Sequence, residues 1–286
     1  MKLYVIMACY NRRRLTLQSL ARLHDAARIA ELDLSVFLYD DACTDGTGEA
    51  VRAGFPEVTI IRGAGNAFWA NSMATAERRV LDGVMAGRND YIVWLNDDVR
   101  LDLDCFLRLR NWMQKESQGL LVGAVRDPES GRVTYSGLAR KGWHPLSFAR
   151  VQPLHDHFRP VETFNGNFVL VPVSDALTIG GIDGSFSHAL ADIDYGLRAG
   201  SLGINVRLAP GTFGTCPLNG PLPPASVAVE WRRFTGVKGG GHLQSMMRIL
   251  RKASPITWPV YVSATYALWW LRAVRRHGPK LGVPGR

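Results

Sequence analysis

Tyr91-Ile92-Val93-Trp94-Leu95-Asn96-Asp97-Asp98 runs five apolar residues directly into three polar ones. A short β-branched and aromatic run without alternation reads as a strand covered on both faces, as in the parallel sheets of α/β proteins. The polar triplet then falls at the carboxyl end of the strand, the edge where such sheets collect ligands. Taken alone, the triplet reads equally well as a solvated acidic turn.

Outward from this strand the pattern repeats. Leu3 to Ala8, Leu34 to Asp40, Val58 to Arg62 and Leu120 to Val125 are further strand candidates. Between them Leu20, Leu23, Ala27 and Ala30 recur at helical spacing, and helices are expected over 68–85 and 104–115. This alternation is that of βαβ units, so the expected class is α/β, a mostly parallel sheet flanked by helices. The strand ends carry Tyr10-Asn11-Arg12, Asp40-Asp41, Gly63-Ala64-Gly65-Asn66 and Asn96-Asp97-Asp98, which brings polar groups to one edge. Residues 126–164 read as loops and a small hairpin. Order returns with a strand over 168–173, a short helix capped by Ser174, a Gly180-Gly181 break, a helix over 192–202 and a strand over 205–208.

Tyr39-Asp40-Asp41-Ala42-Cys43-Thr44-Asp45-Gly46-Thr47 ends a strand in two carboxylates and turns into a helix. Asp40 is expected to accept a hydrogen bond from a base N–H of a nucleotide, whereas Thr44 and Asp45 shape the turn and cap the helix.

The 286 residues leave room for a full core in one large domain or two modest ones. A formal charge of +9 draws the chain to anionic partners without choosing among them. No recognition motif for nucleic acid accompanies it, so none is expected as a partner. Cys9, Cys43, Cys105 and Cys216 form no CxxC pair, which points away from a zinc cluster or disulfide framework and fits a reducing cytoplasm. The run Leu3 to Cys9 mimics a short signal peptide, but Asn11-Arg12-Arg13-Arg14 stands where a cleavage site belongs. Gly63-Ala64-Gly65-Asn66-Ala67-Phe68 begins like a dinucleotide fingerprint and fails at Phe68, and His155-Asp156-His157 lacks further ligands at metal-site spacing.

Val5 to Arg12, Asp40 to Thr47, Leu95-Asn96-Asp97-Asp98 and Asp192-Ile193-Asp194-Tyr195-Gly196-Leu197-Arg198, in that order over roughly the first 200 residues, resemble the landmarks of family 2 glycosyltransferases. The resemblance implies a GT-A, Rossmann-like fold and inverting transfer from a nucleotide diphosphate sugar. It places Ala8, Asn11, Asp40, Asn96 and Asp97 around the nucleotide-sugar, with Asn66 and Asn71 near ribose or phosphate. Asp98 becomes the ligand of a Mg2+ or Mn2+ ion, and Asp192 the general base. Asn96 and Ala191 stand where the family carries carboxylates, and these two departures keep open a catalytically silent relative that binds glycan or acts as a scaffold. On its own residues Asp192 also reads as a helix cap, with Asp194 paired to Arg198.

Phe164-Asn165-Gly166-Asn167-Phe168 and Gly181 to His188 resemble the branch that assembles bacterial surface polysaccharide and lipopolysaccharide. That branch implies a UDP- or dTDP-linked sugar and a glycan or lipid-linked acceptor, with His188 and Trp69 as acceptor-side candidates beside the alternatives of a structural histidine and a core tryptophan. The expected layout is a catalytic domain over 1–210, its nucleotide-sugar half at about 1–125 and acceptor half at about 126–210, then a Gly/Pro-rich loop over 211–241.

The extension 242–286 is basic and aromatic. Pro255 to Leu271 carries Trp258, Tyr261, Tyr266, Trp269 and Trp270 between Arg251-Lys252 and Arg272 to Arg276. Its length is marginal for a membrane span. The expectation is a helical segment lying in the headgroup layer at the inner face of a bacterial plasma membrane, or packed on the catalytic domain or on a second subunit of a homodimer.

Overall fold

The structure is a computed structural model describing residues 2–83, 90–115, 119–218, 220 and 223–277. The chain opens with β1 (Lys2–Cys9), α1 (Arg13–Ile29), β2 (Asp33–Asp40), α2 (Thr47–Gly54), β3 (Thr59–Arg62), α3 (Phe68–Gly83) and β4 (Tyr91–Leu95). It continues through β5 (Arg100–Leu101), α4 (Cys105–Lys115), β6 (Leu120–Arg126), β7 (Val133–Tyr135), β8 (Gly137–Arg140), β9 (Phe148–Arg150), β10 (Arg159–Pro160) and β11 (Thr163–Phe164). The remainder is β12 (Phe168–Pro172), α5 (Val173–Ile179), α6 (Ala191–Ser201), β13 (Val206–Thr215), α7 (Val227–Thr235), α8 (Leu243–Ala253) and α9 (Trp258–His277).

The main sheet has the order β10-β13-β6-β12-β4-β1-β2-β3. β1, β2, β3 and β4 pair in parallel, as their apolar runs predict. β12 enters between β4 and β6 antiparallel to both, so the sheet is mixed, although β6 and β13 again run with β4. A small second sheet, β11-β8-β9, occupies the region expected to hold a hairpin. Ser174 lies inside α5 rather than capping it, because Pro172 takes the cap position with its fixed φ.

Successive strand residues face opposite ways and feed two cores. Ile6, Ile92 and Trp94 pack with α3, α5, α6 and the carboxyl-terminal helices, while Val5, Val93 and Leu95 pack with α1 and α4. Trp94 is wholly buried, with the rings of Tyr195, Phe164 and Trp69 at centroid distances of 4.8, 5.7 and 6.1 Å. One ring therefore ties α6, β11 and α3 to the central strand.

The segment 211–241 departs from the expected loop. Its first residues continue β13, and Val227–Thr235 is α7. Val227, Trp231 and Phe234 stand one helical turn apart, a spacing masked by the flanking glycines and prolines. Trp231 and Phe234 cluster with Tyr266, Trp269 and Trp270 of α9. α9 also packs on α8, and Tyr261 meets His144 of the small sheet at 5.2 Å. Val260, Leu271 and Val274 of α9 are exposed, and Trp270 stays 44% exposed beside Trp231. No described helix is long and apolar enough to cross a membrane; residues 278–286 of the expected extension lie outside the described ones.

α6 approaches the small sheet closely. A Cβ at Gly196 would lie 2.7 Å from the Cα of Thr163, a backbone atom that cannot rotate away. Gly196→Ala should therefore push α6 off β11 and destabilise the fold by about 1–3 kcal/mol, the usual cost of overpacking, measured as a lowered urea midpoint.

Candidate active site

The carboxyl ends of β1, β2 and β4 open on a cleft of about 360 Å3. β1 contributes Ala8 and Cys9, and the residues just beyond it Tyr10 and Arg12. Asp41 follows β2, Asp97 follows β4, Phe68, Trp69 and Ser72 come from α3, and His188 and Lys238 close the far side.

Asp41 builds one wall. Its Oδ1 accepts the amide of Gly65 at 2.8 Å, and its Oδ2 accepts those of Ala67 and Phe68 at 3.0 and 3.2 Å. A carboxylate on the unpaired N–H groups at the start of α3 satisfies them and favours the positive end of the helix. Asp40 points elsewhere. Its Oδ1 accepts the Cys43 amide at 2.8 Å, and a Cβ at Gly48 would meet its Oδ2. Asp40 is thus folded into its own turn and is not among the residues lining the cleft. Asn11, with φ of 53°, holds the same turn by accepting the Thr44 amide at 2.8 Å. Asp45 accepts the amides of Arg13 and Thr47, as a turn-shaping residue should.

Cys9, Asp40 and Cys43 lie within 4.8 Å of one another. Burial pushes both thiols up, Cys43 to about 11. A metal ion here would have to displace a proton from each thiol, and burial makes that costlier than at an exposed cysteine.

At the end of β4, Asn96 Oδ1 accepts the Trp69 indole N–H at 2.8 Å, so this residue orients the tryptophan. Asp97 and Asp98 are bridged by one guanidinium, with Arg12 Nη1 at 3.2 and 2.9 Å. Burial pushes Asp97 up to about 7 against the opposing pull of Arg12.

Asp192 stands in the first turn of α6, following Leu190 in a left-handed conformation (φ 79°). Its Oδ2 accepts the Gly166 amide at 3.1 Å and its Oδ1 the amide of Ile193 at 2.9 Å. A Cβ at Gly166 would lie 2.8 Å from the Trp69 ring and 3.4 Å from Asp192 Cβ. The bare backbone of Gly166 thus lets Trp69, a lining residue of the cleft, stand next to Asp192. Burial raises the Asp192 carboxyl above its ordinary value, with the two amides working the other way. Asp194 takes the structural part, its carboxylate receiving Arg198 Nε at 2.7 Å.

His188 lines the cleft, and burial, then Lys238 and Arg12, holds its pKa below the ordinary value. Asn66 is exposed on its loop, and Asn71 lines a neighbouring cleft instead. Of the residues expected at the site, Ala8, Asp97, Trp69 and His188 line this cleft, Asn96, Asp98 and Asp192 adjoin it through Trp69, Arg12 and Gly166, and Asn11, Asp40, Asn66 and Asn71 do not line it. Arg12, Asp41 and Lys238 were not singled out from sequence. Arg12 and Asp41 adjoin residues that were, but Lys238 follows α7 and carried no signal.

Residues 4–168 match the family described as glycosyl transferase family 2, and residues 91–275 match glycosyl transferase family group 2. The chain belongs to glycosyl transferase family 2 and is a glycosyltransferase. An N-acetylglucosaminyl-diphospho-decaprenol L-rhamnosyltransferase of Mycobacterium tuberculosis is 28% identical over 199 residues, which cover 60% of this chain and 63% of that one. The match thus spans less than two thirds of the relative's length. Among solved structures, residues 1–349 of S. aureus TarS superpose with a TM-score of 0.60 at 11% identity, covering 99% of this chain and 76% of that one. The mannosyltransferase PcManGT of Pyrobaculum calidifontis, in complex with GDP-Man and Mn2+, gives 0.55 at 17% identity over 96% of this chain and 75% of its own. These likenesses establish the GT-A fold.

Beneath the site Glu77 is buried on α3, accepting the Ile182 amide and, at 3.4 Å, the Tyr195 hydroxyl. Burial pushes its carboxyl from 4.5 to about 7. The folded chain then holds this proton more tightly than the unfolded one. The resulting stability is complete below pH 4.5 and is lost as pH rises through about 7. Glu77→Gln removes that dependence, and the difference in unfolding free energy between pH 5 and pH 8 should shrink by up to about 3 kcal/mol, measured by urea titration at each pH.

Proposed function

We propose that this glycosyltransferase transfers a hexose or deoxyhexose, with inversion, from a UDP- or dTDP-linked donor to a glycan or lipid-linked acceptor of bacterial surface polysaccharide. The reading rests on one observation above all. Asp192, with its raised carboxyl pKa, stands across Gly166 from Trp69, whose indole is held by the residue that begins Asn96-Asp97-Asp98. A base linked to the Trp69 ring through Gly166, and an acidic pair following the residue that holds that ring, suit attack on one face of a sugar and departure of a diphosphate from the other. The acceptor class is supported by the mycobacterial relative, whose name specifies a diphospho-decaprenol substrate.

In this reading Asp192 accepts the proton of the incoming hydroxyl as that oxygen bonds to the anomeric carbon, and the bond to the diphosphate breaks. Burial, which raises its pKa, makes it a stronger base at neutral pH than an ordinary carboxylate. Asp97, which lines the cleft, and Asp98, which shares the Arg12 guanidinium with it, offer the hard oxygen donors that Mg2+ or Mn2+ prefers, so the donor set fits such an ion. A divalent ion there would neutralise charge on the leaving diphosphate. Trp69 and His188 border the sugar and acceptor, and Asn11 and Asp40 hold the nucleotide-side turn. The exposed apolar stripe of α9, beside Arg272 and Arg275, suits the headgroup layer at the cytoplasmic face of the membrane.

Asp192→Asn should lower kcat by about 10²- to 10⁴-fold while UDP or dTDP still raises the Tm to the wild-type extent. Near-normal turnover in that variant would sink the assignment. The acid limb of the wild-type kcat profile should lie above the ordinary aspartate range, since activity falls as Asp192 is protonated. Because Arg12 already bridges the acidic pair, Arg12→Ala should tighten Mn2+ binding to nucleotide-free protein, read by calorimetry. Unchanged or weaker binding would separate Arg12 from the ion.

A further inference from the structure

A second cleft, of about 480 Å3, opens between α3, the turn over 180–185 and α8, with Asn71, Arg78, Asp183 and Lys252 on its walls. It adjoins a third, of about 580 Å3, where Arg248 and Arg251 of α8 stand, and the two share Ser185 and Lys252. Cations dominate this double cleft. Asp183 accepts Arg248 Nε at 2.6 Å and Lys252 Nζ at 2.9 Å, and Lys252 also reaches the buried Asp194 at 2.7 Å. Burial alone would raise the Asp183 carboxyl, but its hydrogen bonds from Arg248 and Lys252 outweigh that and hold it well below the usual range. Asp183 is thus a fixed anion that aims two cations.

The donors that remain unused define a ligand. Arg198 uses Nε and both Nη atoms on Asp194 and the carbonyls of Ile179 and Gly181, so it belongs to the frame. Arg248 engages Asp183 through Nε, which leaves its Nη pair toward the cleft. Arg251 lies over the Trp258 ring at 4.4 Å with no carboxylate partner among the described residues, and exposed Arg78 likewise has none. Guanidinium forks without acids recognise phosphate oxygens.

Placement narrows the class further. α3 carries Ser72 on the donor cleft and Arg78 on the second one, six residues or about 9 Å of helix rise apart. The loop after α5 likewise presents Ser185 to one and His188 to the other. At the outer end, Arg251 stacks on the first residue of α9, next to Ile256, which is 92% exposed. A path therefore leads from the reacting cleft across a cationic cradle to an apolar helix surface.

We propose that this cradle of Arg78, Arg248, Arg251 and Lys252 binds the diphosphate of a polyprenyl-diphosphate-linked acceptor, with the sugar reaching toward Asp192 and the lipid leaving past Ile256 along α9. The proposal rests on the acceptor reading above, and its test separates the two. Farnesyl diphosphate serves as probe, titrated by calorimetry into full-length protein saturated with whichever of UDP and dTDP stabilises it, so that the donor cleft is filled. Binding is expected to persist under saturating nucleotide. It should weaken about tenfold or more, the loss of one charge-assisted contact, in Arg251→Ala and in Arg78→Ala. Both side chains are on the surface, so the nucleotide-induced Tm shift should be intact.

Inorganic pyrophosphate should bind more weakly with the same dependence on the two arginines, and farnesol should not bind. Competition between farnesyl diphosphate and nucleotide, indifference to both substitutions, or equal affinity for farnesol or for short-chain phosphatidylglycerol would overturn the proposal. Nucleotide binding without farnesyl diphosphate binding would remove this site alone. Failure to bind any nucleotide would remove the donor reading and this one together.

Discussion

Trp94 is wholly buried at the centre of the sheet, and each ring packed on it belongs to an element that carries part of the site. Tyr195 comes from the helix of Asp192, Phe164 from the strand before Gly166, and Trp69 from the helix that Asp41 anchors. The indole N–H of Trp69 then returns to Asn96, two residues beyond Trp94. Core packing and polar positioning therefore form one closed circuit. Aromatic side chains suit this use because they bury much surface in few rotamers, so an error in one position is transmitted rather than absorbed.

Around that circuit the carboxylates fall into two groups. Asp41, Asp183 and Asp194 accept hydrogen bonds from amides, guanidinium or ammonium groups, and they organise loops and helices. Glu77, Asp97 and Asp192 are raised by burial. Buried carboxyl groups with incomplete compensation are costly to a fold, and Asp97 and Asp192, at and beside the cleft, stand where such groups serve chemistry. The cationic cradle beside α8 shows the complementary arrangement, with more guanidinium groups than acids to meet them.

Much of this was legible in the sequence, and the rest was hidden for identifiable reasons. The strand over Tyr91–Leu95 has the same bounds in the structure, and the polar ends of β1, β2 and β4 do share an edge, because apolar runs closed by polar residues report burial directly. Which of two adjacent carboxylates faces the cleft is a different matter. Asp40 and Asp41 point to opposite sides of a strand end, and sequence carries no reference for the choice. Asn71 and Ser72 differ by a rotation of about 100° on α3, enough to put one in each cleft. The ion pairs of Arg12 span more than eighty positions, and α7 lay concealed between glycines and prolines.

The insertion of β12 between β4 and β6 has a bearing on how such a chain can be cut and joined. Residues 168–172 supply the hydrogen-bonding partner for one whole edge of β4, the strand that presents Asn96-Asp97-Asp98. Before that stretch leaves the ribosome, the first four strands end in an unpaired, fully apolar border, a surface prone to join any other strand it meets. The first 125 residues therefore leave this edge of β4 open and are no self-contained module. Shuffling is expected to respect a unit that reaches at least through Pro172, and fragments that stop near residue 125 should clump rather than fold.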